Sequence, residues 1–285
     1  MTTTLRRQWW VVTDLDGTLM DHRYDWAPAL ETIRLLQRRG VPVIPCTSKT
    51  AEEVRLFREQ SGLRDPFIVE NGGAIHGENA DGSPWQQRLG PSWQELRPQL
   101  DGLARDLGQP LQALDDLSDQ EADRLLGLGG EALQQAQRRA CSVPFVSPPD
   151  GESRRRLQQL AQARELAVVQ GNRLGHLLGA DVSKGRALAV LKQRQGASDV
   201  AVLALGDSPN DLPLLHAGDR SIVVPGAKGP HPALQDGLDN GRFQLAPAPH
   251  ALGWAAAVQR WIPGLLDGEE GVKPDSQTCV DISTK

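Results

Sequence analysis

Cysteine is scarce in this sequence: three in 285 residues, Cys46, Cys141 and Cys279, odd in number and far apart. A disulfide framework needs paired cysteines in an oxidising compartment, so these three read as free thiols of a reducing one. Long apolar runs are missing as well. Trp9 to Val12 is too short for the core of a secretion signal, and no stretch approaches the roughly 18 residues that cross a bilayer. A cytoplasmic location with no membrane partner is the resulting expectation. Nor is there a long basic run: 31 Lys and Arg stand against 36 Asp and Glu, a formal charge of −5, which argues against nucleic acid as a partner. No internal repeat occurs.

What is present is ordinary globular composition, 39% apolar and 24% charged, in a chain long enough for one large domain or two unequal ones. Short apolar runs at 9–14, 41–48, 67–73 and 200–207 read as buried strands, with a further one at 221. Between the first two, Leu30, Ile33, Leu35 and Leu36 recur at helical spacing before Gly40. Thr50 and Glu53 have the spacing of a capping box, and Ser183 is placed to cap another helix. Strand and helix therefore alternate, which predicts an α/β fold with a parallel sheet flanked by helices.

The stretch 85–179 differs in texture, being rich in Gln, Arg, Leu and Asp, and reads as an inserted α+β domain with helices on one face. Ser118 and Glu121 predict a capping box opening one long helix to Arg139, and SRRRLQQLAQARE predicts a second amphipathic helix. The main domain is then 1–84 with 180–263. The tail, 264–285, lacks apolar periodicity and is expected to be flexible. The seven tryptophans read as packing residues.

The chemistry concentrates where the predicted strands end. VVTDLDGTL puts Asp14 at the end of the first strand and Asp16 in the loop beyond it, and GDSPND adds Asp207 and Asp211 at another strand end. Strand carboxyl ends converge on one crevice in an α/β sheet. A single Asp there reads first as a turn former or helix cap, but four together ask for a cation, and an oxygen-rich set suits Mg²⁺. A carboxylate such as Asp14 can attack phosphorus to form an acyl phosphate, while Asp16 protonates the departing oxygen and later deprotonates water. Thr47, Ser48, Lys184 and Asn210 are candidate donors to phosphoryl oxygens, Lys184 being otherwise an ordinary surface lysine.

Taken together, DLDGTL at 14–19, CTSKT at 46–50, SKG at 183–185 and GDSPND at 206–211 resemble the four ordered motifs of the haloacid dehalogenase superfamily. The resemblance implies a Rossmann-like parallel-sheet core with helices on both faces. It also implies Asp14 as nucleophile, Asp16 as acid and base, Thr47 and Lys184 at phosphate, and Asp14, Asp16 and Asp207 at Mg²⁺; Asp211, read from the residues alone, completes that metal site or orients it. The insertion resembles the cap of the Cof-like branch, a lid that selects substrate. CTSKT, VENGGAI at 69–75 and RRACSVPF at 138–145 narrow the likeness to the mannosyl-3-phosphoglycerate phosphatase family. That implies hydrolysis of a small-molecule glycosyl-3-phosphoglycerate, mannosyl or glucosyl, to a glycosylglycerate used as a compatible solute.

For the substrate, Arg173 and His176 in GNRLGHLLG are candidates, against the alternatives of a surface charge and a structural histidine. Asn71, Gly72 and Gly73 bring backbone close to the substrate or simply make a turn. A sucrose-phosphate or other sugar-phosphate phosphatase, a phosphosugar mutase and a non-catalytic phosphosugar-binding regulator are the competing functions; the oligomeric state is not legible in the sequence.

Overall fold

The run WWVVT forms β1 (Trp9–Thr13), and its side chains divide between two cores as a strand's alternation requires. Val11 packs on one side with Leu203 and Leu205, whereas Trp10 and Val12 pack on the other with Val202 and Ala204. The computed structural model in which this is seen describes residues 8–171 and 173–267. In α1 (Leu30–Arg38) the apolar positions Ile33, Leu35 and Leu36 are buried, and Gly40 ends the segment at φ 63°. Then follow β2 (Val43–Pro45), parallel to β1, and α2 (Ala51–Ser61). The predicted capping box opens α2: Thr50 Oγ1 accepts from the Glu53 N–H, and the Glu53 carboxylate accepts from the Thr50 N–H.

The strand expected over FIVENGG stops early, as β3 (Phe67–Val69), because Glu70, Asn71 and Gly72 turn at φ 51°, 58° and 97°. β4 (Ala74–Glu78) and β5 (Pro84–Arg88) continue antiparallel in the order β3-β4-β5, and Ile68 bridges this small sheet to Cys46 beside β2. β5 runs across the 84/85 boundary expected from the sequence, and Trp85 on it packs against the main core.

The inserted region begins with α3 (Trp93–Leu107), capped by Ser92. Where one helix from Ser118 to Arg139 was expected there are two, α4 (Asp119–Leu126) and α5 (Gly130–Gln137). The break lies in GLGG: Gly127 takes the left-handed conformation, φ 66°, which terminates α4. β6 (Val143–Phe145), α6 (Gly151–Gln162), β7 (Leu166–Gln170) and β8 (Gly175–Gly179) complete the region, with an antiparallel sheet ordered β6-β8-β7. Leu96 and Leu100 of α3, Leu157 of α6, Phe145 and Leu177 form its core. A separate cluster holds α4 and α5 around Leu126, Leu133 and Leu174.

The chain returns with α7 (Lys184–Arg194), β9 (Ala201–Gly206), α8 (Leu212–Ala217), β10 (Arg220–Val223), α9 (Gln235–Asp239), β11 (Gln244–Leu245) and α10 (His250–Trp261). The main sheet is wholly parallel, ordered β11-β10-β9-β1-β2. Helices cover both faces: α1 and α10 on one, α7 and α8 on the other. Trp254 of α10 is completely buried, and its indole N–H donates to Thr13 Oγ1 at 2.9 Å. The first residues of the expected tail are packed, since Leu265 is buried and Arg39 donates to the carbonyls of Gly264 and Asp267. Residues 268–285, including Cys279, lie outside the described residues. Among those described, no helix is long and apolar enough to cross a membrane.

Gly72, in the turn between β3 and β4, lies against the start of α7: a Cβ there would overlap the Ser183 carbonyl, and its φ of 97° suits glycine. Gly72→Ala should lower stability by roughly 3 kcal/mol. Urea unfolding followed by circular dichroism checks this, an unchanged midpoint being the contrary result.

Candidate active site

Four charged side chains meet at the carboxyl ends of the central strands. Asp14 follows β1, Asp207 follows β9, Asp211 lies in the tight turn after it, and Lys184 is the first residue of α7. The Lys184 ammonium is fully buried, 2.7 Å from Asp14 Oδ1 and 2.6 Å from Asp211 Oδ1. Asp211 uses its other oxygen to accept from the N–H groups of Asp207 (2.9 Å) and Ser208 (3.0 Å), and Thr18 Oγ1 donates to Asp207 Oδ1 at 2.7 Å. Carboxylate oxygens of Asp14, Asp207 and Asp211 lie within 4.8 Å of one another.

One ammonium among three carboxylates leaves the cluster negative. Burial pushes the Asp14 carboxyl up to about 7 against the pull of Lys184, with Asp211 adding to the rise. Burial also works against the Lys184 charge, but Asp14 and Asp211 outweigh it and hold the group above the ordinary lysine range. A hard divalent cation suits such an all-oxygen set and would return Asp14 to its ionised form. The donor chemistry therefore fits a metal held by Asp14, Asp207 and Asp211.

The Asp16 side chain, expected from the sequence among the metal-binding carboxylates, stands apart from the Asp14, Asp207 and Asp211 oxygens. Its Oδ2 pairs with Lys49 Nζ at 3.1 Å, while Oδ1 is buried and takes no hydrogen bond from a described residue. The reason is the largely buried Lys49, which needs counter-charges: burial disfavours its ammonium, but Asp16 and Glu53 outweigh that and raise it. Glu53 lies 3.2 Å away, and the Tyr24 ring centroid 4.5 Å. Burial would raise the Glu53 carboxyl, yet Lys49 and Arg139 hold it below its usual range.

Thr47 is buried, its Oγ1 accepting from the Lys49 N–H and its carbonyl from the Asn71 N–H. Asn210 donates to Asn71 Oδ1 at 2.9 Å and accepts from Ser208 Oγ at 2.6 Å. Asn71, Gly72 and Gly73 do not line the cavity described next; Gly72 lies against Ser183 and Lys184, and Gly73 against Cys141. Glu70 explains the proximity of VENGG to RRACS: its buried carboxylate accepts from the N–H groups of Ala140 and Cys141 and from Ser142 Oγ, at 2.7–2.9 Å.

A cavity of about 380 Å³ opens between the main domain and the insertion. Asp14, Asp16, Ser48, Asp207 and Asn210 line it from one side, Arg139, Arg173 and His176 from the other, and no tryptophan reaches it. Arg139 Nη1 donates to the Ser48 carbonyl at 2.6 Å. Arg173 donates to the Leu126 carbonyl, the Tyr24 hydroxyl and the His22 carbonyl, so it clamps the insertion to the loop after β1. Lys49 and Arg139 were not singled out from the sequence although each lies in a quoted motif, CTSKT and RRACSVPF. Tyr24 and His250 line the cavity too and carried no signal at all. The buried Cys46 and Cys141 are free, and burial raises both thiols, Cys141 to about 12, so neither is a reactive thiolate.

Residues 11–89 match the haloacid dehalogenase-like hydrolase family, and residues 132–262 the sucrose-6F-phosphate phosphohydrolase family. The chain is 30% identical over 229 residues to a glucosyl-3-phosphoglycerate/mannosyl-3-phosphoglycerate phosphatase of Persephonella marina, covering 75% of this chain and 84% of that one. A protein of the same name from Methanococcoides burtonii is 32% identical over 228 residues, with the same coverage. Among solved structures, a haloacid dehalogenase-like hydrolase from B. subtilis superposes with TM-score 0.66 at 17% identity, over 89% of this chain and 99% of that one.

His176 is buried, its Nδ1 without a hydrogen-bond partner among the described residues, and burial pushes it down to about 3 from an ordinary 6.5, Arg139 and Lys184 adding to the effect. The unfolded chain binds this proton first, so stability should fall as the pH drops from 6.5 towards 3, by about 1.4 kcal/mol per unit well inside that window. His176→Gln should flatten that part of the profile in urea unfolding at stepped pH; an identical slope would contradict the assignment.

Proposed function

The chain belongs to the haloacid dehalogenase-like hydrolases and is a phosphoric monoester hydrolase, and on that premise we propose that it hydrolyses a glycosyl-3-phosphoglycerate, mannosyl or glucosyl, to the glycosylglycerate and phosphate in compatible-solute synthesis. The observation that carries the reading is that Asp14 shares one cavity with Lys49, Arg139 and Arg173. A substrate with a phosphoryl group and a separate carboxylate meets three cations there, beside a carboxylate able to attack phosphorus. The two relatives of that name support the choice of substrate.

In this reading the Asp14 carboxylate attacks phosphorus, the bond to the glycerate oxygen breaks, and that oxygen takes a proton from Asp16. Asp14 is left as an acyl phosphate. Asp16, now ionised, removes a proton from water, whose oxygen attacks phosphorus and releases phosphate and free Asp14. Lys49 fixes Asp16 through Oδ2, leaving the unpartnered Oδ1 to exchange the proton. Thr47, Ser48, Lys184 and Asn210 offset charge on the phosphoryl oxygens. Asp14, Asp207 and Asp211 would hold Mg²⁺, which when bound supplies the positive charge that lessens repulsion between the two anions.

A second reading, a sucrose-phosphate phosphatase, rests on the family match over residues 132–262. Such a substrate has no carboxylate, and Arg139 and Arg173 of the cavity would meet no second anionic group on it.

Phosphate release from glucosyl- and mannosyl-3-phosphoglycerate, sucrose 6-phosphate and glucose 6-phosphate separates the two. One of the phosphoglycerates should exceed the others by at least about tenfold in kcat/KM, and equal turnover of all four would reject the narrow substrate. Chelation should abolish activity and Mg²⁺ restore it. Asp14→Asn should lower kcat by at least about 10³-fold with an unchanged circular dichroism spectrum, near-normal turnover being incompatible with attack by that residue.

A further inference from the structure

The C-terminal half of α2 and the β4–β5 hairpin enclose a second cavity of about 490 Å³, which shares no lining residue with the first. Arg55 and Arg58, three residues apart on α2, line it together with Arg64 and with His76 of β4. Three guanidinium groups stand there against the carboxylates of Glu59 and Glu78, so the lining is positive without counting His76.

The donors of this cavity are poorly used by the protein. Arg55 Nη2 is 3.5 Å from His76 Nδ1, and Arg58 Nη2 is 3.5 Å from Glu78, both at the outer limit of a hydrogen bond. The Arg58 side chain is only 10% exposed, yet its Nε is buried with no hydrogen-bond partner among the described residues. Buried guanidinium donors are normally paired, so an unpaired one leaves hydrogen-bonding capacity that no described residue uses. The groups are nevertheless held in place. The Phe67 ring centroid lies 4.7 Å from the Arg58 guanidinium carbon, and His76 stacks on the same ring at 5.0 Å. Trp85 forms an apolar wall, lying so flat on Gly77 that a Cβ at that position would overlap the indole.

We propose that this cavity is a second anion site, distinct from the one that turns over substrate, and that it takes a phosphoryl group, either free phosphate or the end of a small phosphate ester. The donors come from α2, from the loop after it and from β4, thus from several directions. A planar carboxylate is satisfied by one guanidinium fork, whereas a tetrahedral phosphoryl group offers oxygens to all of them. His76 supports the assignment: burial together with Arg55 and Arg58 pushes it down to about 4, so it stands neutral among the cations and adds a hydrogen-bonding nitrogen without adding repulsion.

The test uses the full chain carrying Asp14→Asn, to prevent turnover, and follows the imidazole resonances by NMR during addition of inorganic phosphate at fixed pH and ionic strength. The His76 signal is assigned by its loss in His76→Gln. It should shift along a saturating curve. Arg55→Gln, at an exposed position, should raise the midpoint at least about tenfold, equivalent to about 1.4 kcal/mol, and Arg58→Lys should do the same. Either substitution in the otherwise native chain should leave phosphatase activity unchanged in phosphate-free buffer. Phenylphosphonate distinguishes the two sources: tighter binding than phosphate assigns an ester seated on Trp85, and equal binding assigns the free ion. A signal that does not move, a linear response showing an adventitious ion only, or midpoints indifferent to both arginine substitutions would overturn the proposal.

Discussion

The buried ammonium of Lys184 is the constraint around which the rest is arranged. Three carboxylates at the ends of β1 and β9 would repel one another in a medium of low dielectric, and an unpaired buried charge costs several kcal/mol. Lys184 offsets two of them directly, and to do so it must enter from the first position of α7 with Ser183 capping that helix. Its position in turn fixes the turn at Asn71 and Gly72, because the Ser183 backbone leaves no room for a side chain at Gly72. Asn71 then meets Asn210, and the loop after β9 is tied to the loop after β3. A single cation thus registers four chain segments that are far apart in sequence.

Much of this was readable from residue pattern. Apolar runs ending in Asp, the Thr50–Glu53 box and the Ser183 cap each declare a local geometry, and the topology of a parallel sheet brings their ends together without further information. What was hidden depended on contacts between elements. Nothing in DLDGTL says that Asp16 turns to Lys49, since that follows from the need to neutralise a lysine buried by Tyr24 and Glu53. The helix from Ser118 to Arg139 failed because GLGG has no apolar signal against it, only glycine's freedom at Gly127. β5 was invisible for another reason: PWQQR is an edge strand with polar alternation, and its place is set by pairing with β4.

The two signatures that linked the middle of the chain to its front, VENGG and RRACS, turn out to be one structure. Glu70 holds the second by three hydrogen bonds, each a charge-assisted contact worth about 1.5–3 kcal/mol. This places Arg139, at the start of that segment, within reach of Ser48. The electrostatics of the cavity are therefore built partly from the insertion.

The manner in which the insertion grips the main domain has a mechanical meaning. On the inner side the arginines reach for neutral oxygen, Arg139 for the Ser48 carbonyl and Arg173 for the His22 carbonyl and Tyr24 hydroxyl. Apart from the buried Glu70 carboxylate at the junction, the carboxylate contacts are an exposed pair, Arg138–Glu52, and a buried but long one, Arg139–Glu53 at 3.9 Å. Water can replace a neutral oxygen at either end of such a contact, and Glu53 keeps Lys49 as a second partner at 3.2 Å. Breaking a buried ion pair would instead cost about 3–5 kcal/mol. The clasp therefore rests largely on contacts that water can replace, and it sets the distance between the insertion and the main domain.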